Sequence, residues 1–238
     1  MTVAIIGAGV MGETLLSGLI RAGRRTDDLL VGEKRRERAD ELEERYGVAV
    51  VSNTDAAQKA DTVVLVVKPQ DMSDLLAELS GVVRPGQLVV SLAAGITTAF
   101  IEARLPEGVA VVRVMPNTPA LVDEGMAAIS RGSHCDESHL AEAESLMAST
   151  GRVIQVPERQ QDAVTAISGS GPAYLFFVVE SMIEAGVHLG LPRATAAELV
   201  VQTVVGSAKL LRDTGEHPVV LRERDATRDG AIHIDATT

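Results

Sequence analysis

An α/β fold is predicted from the sequence: an N-terminal domain built on a parallel sheet, followed by an all-helical C-terminal domain. Three observations predict it. Short apolar runs alternate with amphipathic stretches through the first two thirds of the 238 residues, the βαβα pattern of a mostly parallel sheet with helices on both faces. After Pro157 the strand-like runs stop and long apolar helical stretches take over. The apolar residues, 46% of the chain, are aliphatic, with aromatics at 2% and no Trp, which suits parallel strands buried between helices.

The elements follow in order. Residues 3–6 read as a strand. Residues 11–22 read as a helix, with Met11, Leu15, Leu19 and Ala22 at three- and four-residue spacing. Residues 29–32 are a second strand, and residues 35–46 a charged helix with Ala39 and Leu42 on its inner side, closed by Gly47. Residues 48–51 and 62–67 are the next strands, the latter broken by Lys68-Pro69 before a helix at 72–79. Strands at 88–92 and 109–114 follow, then edge strands at 126–130 and 153–156 flanking a helix at 138–147. Beyond Pro157, helices are expected over 173–189 and 194–212, separated by Gly190-Leu191-Pro192. The expected domains are therefore 1–157 and 158–238. The helical pair carries little polar surface, so a second copy of the chain is its expected partner.

The net charge of −11 argues against a broad nucleic-acid surface. Cys135 is the one cysteine, so no internal disulfide forms, and its neighbours suggest no metal site. The N-terminus enters an apolar strand at once, without a basic leader, and no apolar run is expected to reach a membrane span. A cytoplasmic setting is the expectation.

The first strand runs into Gly7-Ala8-Gly9-Val10-Met11-Gly12, a GxGxxG turn opening a helix. In that context the motif reads as a Rossmann-type dinucleotide site: Gly7 for the tight turn, Gly9 for approach of the pyrophosphate, Gly12 for close helix–strand packing. About twenty residues on, Glu33 stands where an acid binds the ribose hydroxyls of NAD, but Lys34, Arg35 and Arg36 follow it. Three cations fit a 2′-phosphate better than a hydroxyl, so NADPH is the expected cofactor, with NADH possible.

The chain resembles the pyrroline-5-carboxylate reductases. The resemblance runs from Val3 to about Arg224 through "GAGVMGETLLSGL", "VVKPQD", "SLAAGIT", "RVMPNTPALV" and "DAVTAISGSGPAY". It implies NAD(P)H-dependent reduction of the cyclic imine 1-pyrroline-5-carboxylate to proline, and a helical domain that interlocks between subunits as a homodimer or higher homo-oligomer. It also implies that Val66, Val67, Lys68 and Pro69, with Ala94, Gly95 and Ile96, line the dinucleotide beside Asn53. These segments end strands, where a parallel sheet opens its ligand crevice. Asn117 reads equally as a cofactor contact or as the turn residue before Thr118-Pro119.

Ser168, Gly169, Ser170 and Gly171 read as a bare-backbone turn with Pro172 at the helix entrance. Such a turn, with a helix N-terminus behind it, offers hydroxyls and N–H groups to a small carboxylate, so these four residues are the substrate-binding candidates. A protonated imine accepts hydride directly, so none of the five histidines needs a catalytic role; His188, on an apolar helix, is expected to be a core residue. A β-hydroxyacid dehydrogenase would carry a lysine after a similar glycine turn, and none occurs between Asp162 and Lys209. After Arg224 the family's Ser-Pro-Gly-Gly-Thr-Thr loop is absent; "DGAIH" is a faint echo, and the helical domain is expected to be incomplete. The competing expectation is a dinucleotide-binding relative with little or no turnover.

Overall fold

The computed structural model describes residues 1–225. The altered tail beyond Asp225, including "DGAIH", lies outside the described residues. The chain divides into two compact units, Met1–Pro172 and Ala173–Thr238.

The first unit is a single eight-stranded sheet in the order β3-β2-β1-β4-β5-β6-β7-β8. Its strands are β1 (Val3–Ile6), β2 (Leu29–Gly32), β3 (Ala49–Val51), β4 (Thr62–Leu65), β5 (Leu88–Ser91), β6 (Ala110–Met115), β7 (Gly125–Arg131) and β8 (Gly151–Gln155). Strands β1 to β6 are parallel, so their carboxyl ends lie along one edge. Successive residues of a strand face opposite sides, and the core divides accordingly. Val3 and Ile5 pack with Leu15, Leu16 and Leu19 of α1 (Val10–Arg21), Leu42 of α2 (Arg36–Tyr46) and Leu146 of α6 (Glu137–Ala148). Ala4 and Ile6 pack with Ala56 of α3 (Asn53–Lys59), Leu76 of α4 (Met72–Leu79) and Ile101 of α5 (Thr98–Glu102).

Several expectations are corrected. β4 ends at Leu65, so residues 66–67 lie beyond the strand, although Val66 N–H still bonds the Ile6 carbonyl at 2.8 Å. β7 is no edge strand: it lies between β6 and β8, antiparallel to β6. Only residues 116–124 join β6 to β7, too few for the crossover of a dozen or more residues that a parallel pair needs. Helices α3 and α5 were not anticipated. Each is short and starts on a hydroxyl cap, Ser52 Oγ accepting from Asp55 N–H and Thr97 Oγ1 from Phe100 N–H.

Residues 168–171 are not a bare turn. The chain runs from α7 (Gln161–Val164) through a π-helical turn (Thr165–Gly169) into α8 (Gly171–His188). Ser170 N–H bonds the Thr165 carbonyl at 2.8 Å, the wide i→i−5 spacing of a π turn. Residues 158–172, expected in the helical domain, group with the sheet. An ion pair with its arginine buried and its carboxylate half-buried holds them there. Arg113 of β6, 4% exposed, reaches Glu158 Oε1 at 3.4 Å, while the Glu158 carboxylate accepts from Thr98 N–H and Thr98 Oγ1, both at 2.7 Å.

The second unit holds the rest of α8, α9 (Arg193–Thr214) and α10 (Pro218–Asp225). Among its described residues only Ala196 and Val200 of the apolar side chains are buried, while Tyr174, Leu175, Phe176 and Phe177 are exposed. His188 is exposed too, its Nδ1 on the Glu184 carbonyl, and so is no core residue. The expectation that no apolar run reaches membrane-spanning length is also corrected. Continuity through the π turn makes one 31-residue helix, Glu158–His188, whose most apolar 18 residues have a mean hydropathy of 1.3; the corresponding stretch of the 22-residue helix Arg193–Thr214 reaches 1.2.

Removing Glu158 leaves the buried Arg113 guanidinium with only the more distant and exposed Asp162 carboxylate, at 3.7 Å. Glu158→Ala is expected to lower stability by about 1–3 kcal/mol in urea unfolding, with Glu158→Gln less damaging because it still accepts from Thr98. An unchanged midpoint for Glu158→Ala would show that the pair does not fasten this segment.

Candidate active site

The carboxyl ends of β1, β2 and β4 open one cleft of about 310 Å³, walled by Gly7, Gly32, Glu33, Lys34, Asn53 and Val67. Its floor is the turn from β1 into α1. Gly7 has φ of +100°, and a Cβ there would lie 2.8 Å from the Val66 carbonyl oxygen. Only glycine meets both conditions cheaply. A Cβ on Gly12 would overlap the Gly7 carbonyl oxygen, which is how closely α1 sits on the turn. Gly9 differs from both: it caps α1 with an ordinary φ of −70°, and a Cβ on it would meet nothing within 4 Å. Val10, next to it, is 69% exposed, and Met11 half-buried. The space in front of Gly9 and the N-terminus of α1 therefore suits an anion brought close to backbone, and these residues fit a dinucleotide's pyrophosphate.

The charges beside the turn do more than sequence reasoning assigned to them. The Glu33 carboxylate accepts from Arg35 N–H at 2.9 Å and from the Arg35 guanidinium at 3.1 Å, and from the Ala8 backbone N–H. Burial resists its ionisation, but these bonds outweigh burial and hold its pKa below the ordinary value. At the other backbone group of the same residue, in the next peptide, Arg38 Nε donates to the Ala8 carbonyl at 3.1 Å. The Arg38 guanidinium also pairs with Glu13, which takes hydrogen bonds from Arg45 and the Tyr46 hydroxyl. Ala8, the middle of Gly7-Ala8-Gly9, is thus gripped at both N–H and C=O. Arg38 was missed in the sequence because nothing local distinguishes it from the other charges of α2.

Lys34 Nζ donates to Glu78 Oε2 of α4 at 2.9 Å, which raises the Lys34 pKa. Asn53, 6% exposed, points its Nδ2 at the same oxygen at 3.4 Å. It opens α3 rather than ending the third strand, as had been expected. Lys34, Glu33 and Asn53 are brought to one cleft with Gly7, and Arg35 joins them through Glu33. Arg36 makes no ion pair among the described residues.

The remaining residues lie along the same edge of the sheet. Val66 and Val67 are half-buried beyond β4, with Lys68 and Pro69 exposed at the start of a short 3-10 turn. Ala94 and Gly95 are exposed beyond β5, Gly95 at φ +75°, and Ile96 half-buried. Asn117, past the end of β6, is held on both sides: its Nδ2 donates to Ser168 O at 3.2 Å, and its Oδ1 accepts from Met126 N–H at 2.8 Å. Gly169 sits on Met115, whose Cε would be 2.5 Å from an added Cβ. The π turn thus lies at the carboxyl end of β6. Cys135 donates its thiol to the Val111 carbonyl, and burial pushes its pKa up. Among the described residues no cluster of metal-ligating side chains occurs.

Parallel sheet, glycine turn and cleft define a Rossmann-type dinucleotide-binding protein. Comparison with known proteins narrows this. Residues 2–95 match the family described as NADP oxidoreductase coenzyme F420-dependent, and residues 158–233 the pyrroline-5-carboxylate reductase dimerisation family. The chain is 45% identical over 225 residues to a pyrroline-5-carboxylate reductase of Corynebacterium melassecola, spanning 93% of this chain and 83% of the relative. The solved pyrroline-5-carboxylate reductase of Coxiella burnetii superposes with a TM-score of 0.89 at 37% identity, over 94% of this chain and 84% of that one. A Plasmodium falciparum pyrroline carboxylate reductase, solved with NADP bound, superposes at 0.85 with 27% identity, over 97% and 86%. The chain belongs to the pyrroline-5-carboxylate reductase family.

The glycines make separable predictions. Gly9→Val is expected to leave the melting temperature within about 2 °C, because a Cβ there meets nothing within 4 Å and the φ of −70° suits any residue. It should abolish detectable NADPH binding, because the added atoms fill the space kept for the pyrophosphate. Gly12→Ala, by contrast, is expected to unfold the turn itself. Fluorescence titration with NADPH beside thermal melting checks both; unchanged affinity in Gly9→Val would remove the turn from the site.

Proposed function

We propose that this protein reduces 1-pyrroline-5-carboxylate to L-proline with NADPH as electron donor, NADH serving less well. Family membership over more than nine tenths of the chain carries the reading, because it joins a nucleotide cleft to a helical segment in one order. The expected alternative, a binding protein with little turnover, rested on the tail alone and is not favoured.

In this reading Gly7, Gly9, Val10, Met11 and Gly12 receive the pyrophosphate, and Asn53 with Lys34 and Arg35 the adenosine ribose and its 2′-phosphate. Val66, Val67, Lys68, Pro69, Ala94, Gly95 and Ile96 line the way along the sheet edge. The bound cofactor supplies the hydride. The protein's own part is to hold donor and acceptor in register and keep water out. Ser168, Gly169, Ser170 and Gly171 form the substrate side. The π turn widens the helix there, and the Ser168 and Ser170 hydroxyls offer donors to a carboxylate. No side chain is asked to remove a proton, since the imine arrives protonated and takes hydride at carbon.

Residues 1–157 are assigned to dinucleotide binding and 158–238 to substrate binding and self-association. The exposed apolar faces of α8 and α9 are assigned to a second copy, giving a homodimer or larger assembly. The setting is cytoplasmic, a compartment in which a lone thiol such as Cys135 stays reduced.

Cofactor choice is the sharpest test. In the free protein Lys34 is held by Glu78 and Arg35 by Glu33. Lys34→Ala with Arg35→Ala removes two cations and leaves the Glu33 carboxylate facing the phosphate. The ratio of kcat/KM for NADPH over NADH, measured with pyrroline-5-carboxylate, is expected to fall about tenfold or more. Equal loss with both cofactors would refute the 2′-phosphate assignment, and absence of turnover in the unmodified protein would refute the activity.

A further inference from the structure

Asn117 and Ser168 are joined by more than proximity. Pro172 stands four residues after Ser168 and has no N–H to give the Ser168 carbonyl the bond of a regular α-helix. Asn117 supplies a donor instead. Its Nδ2 reaches Ser168 O at 3.2 Å and Ser168 Oγ at 3.3 Å. The amide orientation is fixed by its other end, because Oδ1 takes a bond from Met126 N–H, which can only donate.

The Ser168 hydroxyl also departs from its neighbours. Hydroxyls on helices commonly bond the carbonyl four residues back, and Thr165, Ser181, Thr203 and Thr214 all do so here. Ser168 does not: among the described residues its Oγ has the Asn117 N–H on a lone pair and no acceptor for its own proton.

We propose that Asn117 is a positioning residue for the substrate: it pins the π turn to the end of β6 and leaves the Ser168 hydroxyl proton free for the substrate carboxylate. This rests on the substrate role of Ser168 proposed above. It takes Asn117 away from the cofactor, since both ends of its amide are already committed within the protein.

Asn117→Asp tests it. An aspartate still accepts from Met126 N–H, but it has no N–H for Ser168 and draws the Ser168 hydroxyl proton onto itself. The KM for pyrroline-5-carboxylate is expected to rise about tenfold or more, with the KM for NADPH within twofold of the unmodified enzyme. Ser168→Ala is expected to raise the same KM, and the double variant to raise it by less than the product of the two single effects, because Asn117 acts on the hydroxyl through Ser168. Thermal melting accompanies each variant. If Asn117→Asp does not fold, Asn117→Ser, too short to span to Ser168, is judged by the same numbers. A substrate KM that rises in Ser168→Ala but not in the Asn117 variant overturns the positioning role and leaves the Ser168 assignment standing. No effect in Ser168→Ala overturns the Ser168 assignment itself. An NADPH KM that rises as much as the substrate KM in the Asn117 variant places the residue on the cofactor side and overturns the inference.

Discussion

Contact of backbone with backbone at the end of β1 is the constraint on which the other features depend. Gly7 lies under the Val66 carbonyl and Gly12 on the Gly7 carbonyl, with no room for a Cβ at either. Gly7 N–H meanwhile bonds the Gly32 carbonyl at 3.1 Å. Three chain segments, from β1, β2 and β4, therefore converge on one turn. That convergence sets the turn that leads into α1 at the cleft, with the ends of β2 and β4 lining it as well. It also explains the order of the sheet, with β1 between β2 and β4. A side chain at Gly7 or Gly12 would part these segments, and the cleft would lose its floor before any ligand arrived.

The charged residues around the turn act on the protein first and on a ligand second. Glu33 and Arg38 hold the two peptides that flank the Ala8 Cα, which keeps the loop in place in the free protein. Lys34 and Arg35 are each paired with a carboxylate, so a 2′-phosphate would have to exchange partners with Glu78 and compete with Glu33. The Lys34 ammonium and the Arg35 guanidinium are themselves largely exposed, so they can turn to a phosphate while the preset loop is retained. An acid at the end of β2 is usually read as a ribose ligand. Here its bonds to Ala8 and Arg35 make it a fastener, and its presence does not contradict a phosphate-binding neighbour.

The parallel half of the fold was legible because each strand is a short aliphatic run bounded by a breaker: β1, β2 and α4 fall on the expected residues, and Gly47 closes α2 at φ +65°. The glycine turn and its cleft were legible for the same reason, since spacing and context both lie in one stretch of sequence. What failed was non-local. The short α3 and α5 take their stability from a capping hydroxyl and from packing under the sheet, which no periodicity reports. The direction of β7 depends on how few residues join it to β6. Residues 168–171 were misread because Ser-Gly-Ser-Gly-Pro is turn chemistry by composition. Thr165, packed helix on either side and a donor from Asn117 keep it helical at a wider pitch. Asn117 itself carried two readings in the sequence, and only its partners, 9 and 51 residues away, separate it from an ordinary turn residue.

The helical pair poses the last question of the fold, because α8 and α9 are long and apolar enough to cross a bilayer and yet almost nothing on them is buried. Their charges decide which solvent they are built for. Glu180 and Glu184 stand one turn apart in α8, and Glu184 makes a two-bond pair with Arg193 at the start of α9, at 2.6 and 2.9 Å. At the centre of a membrane each such charge costs about 2.5–3.5 kcal/mol even on the lenient scales; at the rim of a protein interface it stays wet and costs little. Phe176, Phe177 and Leu175 need covering, while Glu180 and Glu184 need water, and one turn of helix separates the two needs. A second copy of the same pair satisfies both where it covers the turn of Leu175, Phe176 and Phe177 and leaves the following turns, with Glu180 and Glu184, open to water. The composition of the whole chain agrees with this: with aromatics at 2%, three of its five aromatic residues, Tyr174, Phe176 and Phe177, are spent within one exposed turn of α8, where large rigid side chains add most to an interface between proteins.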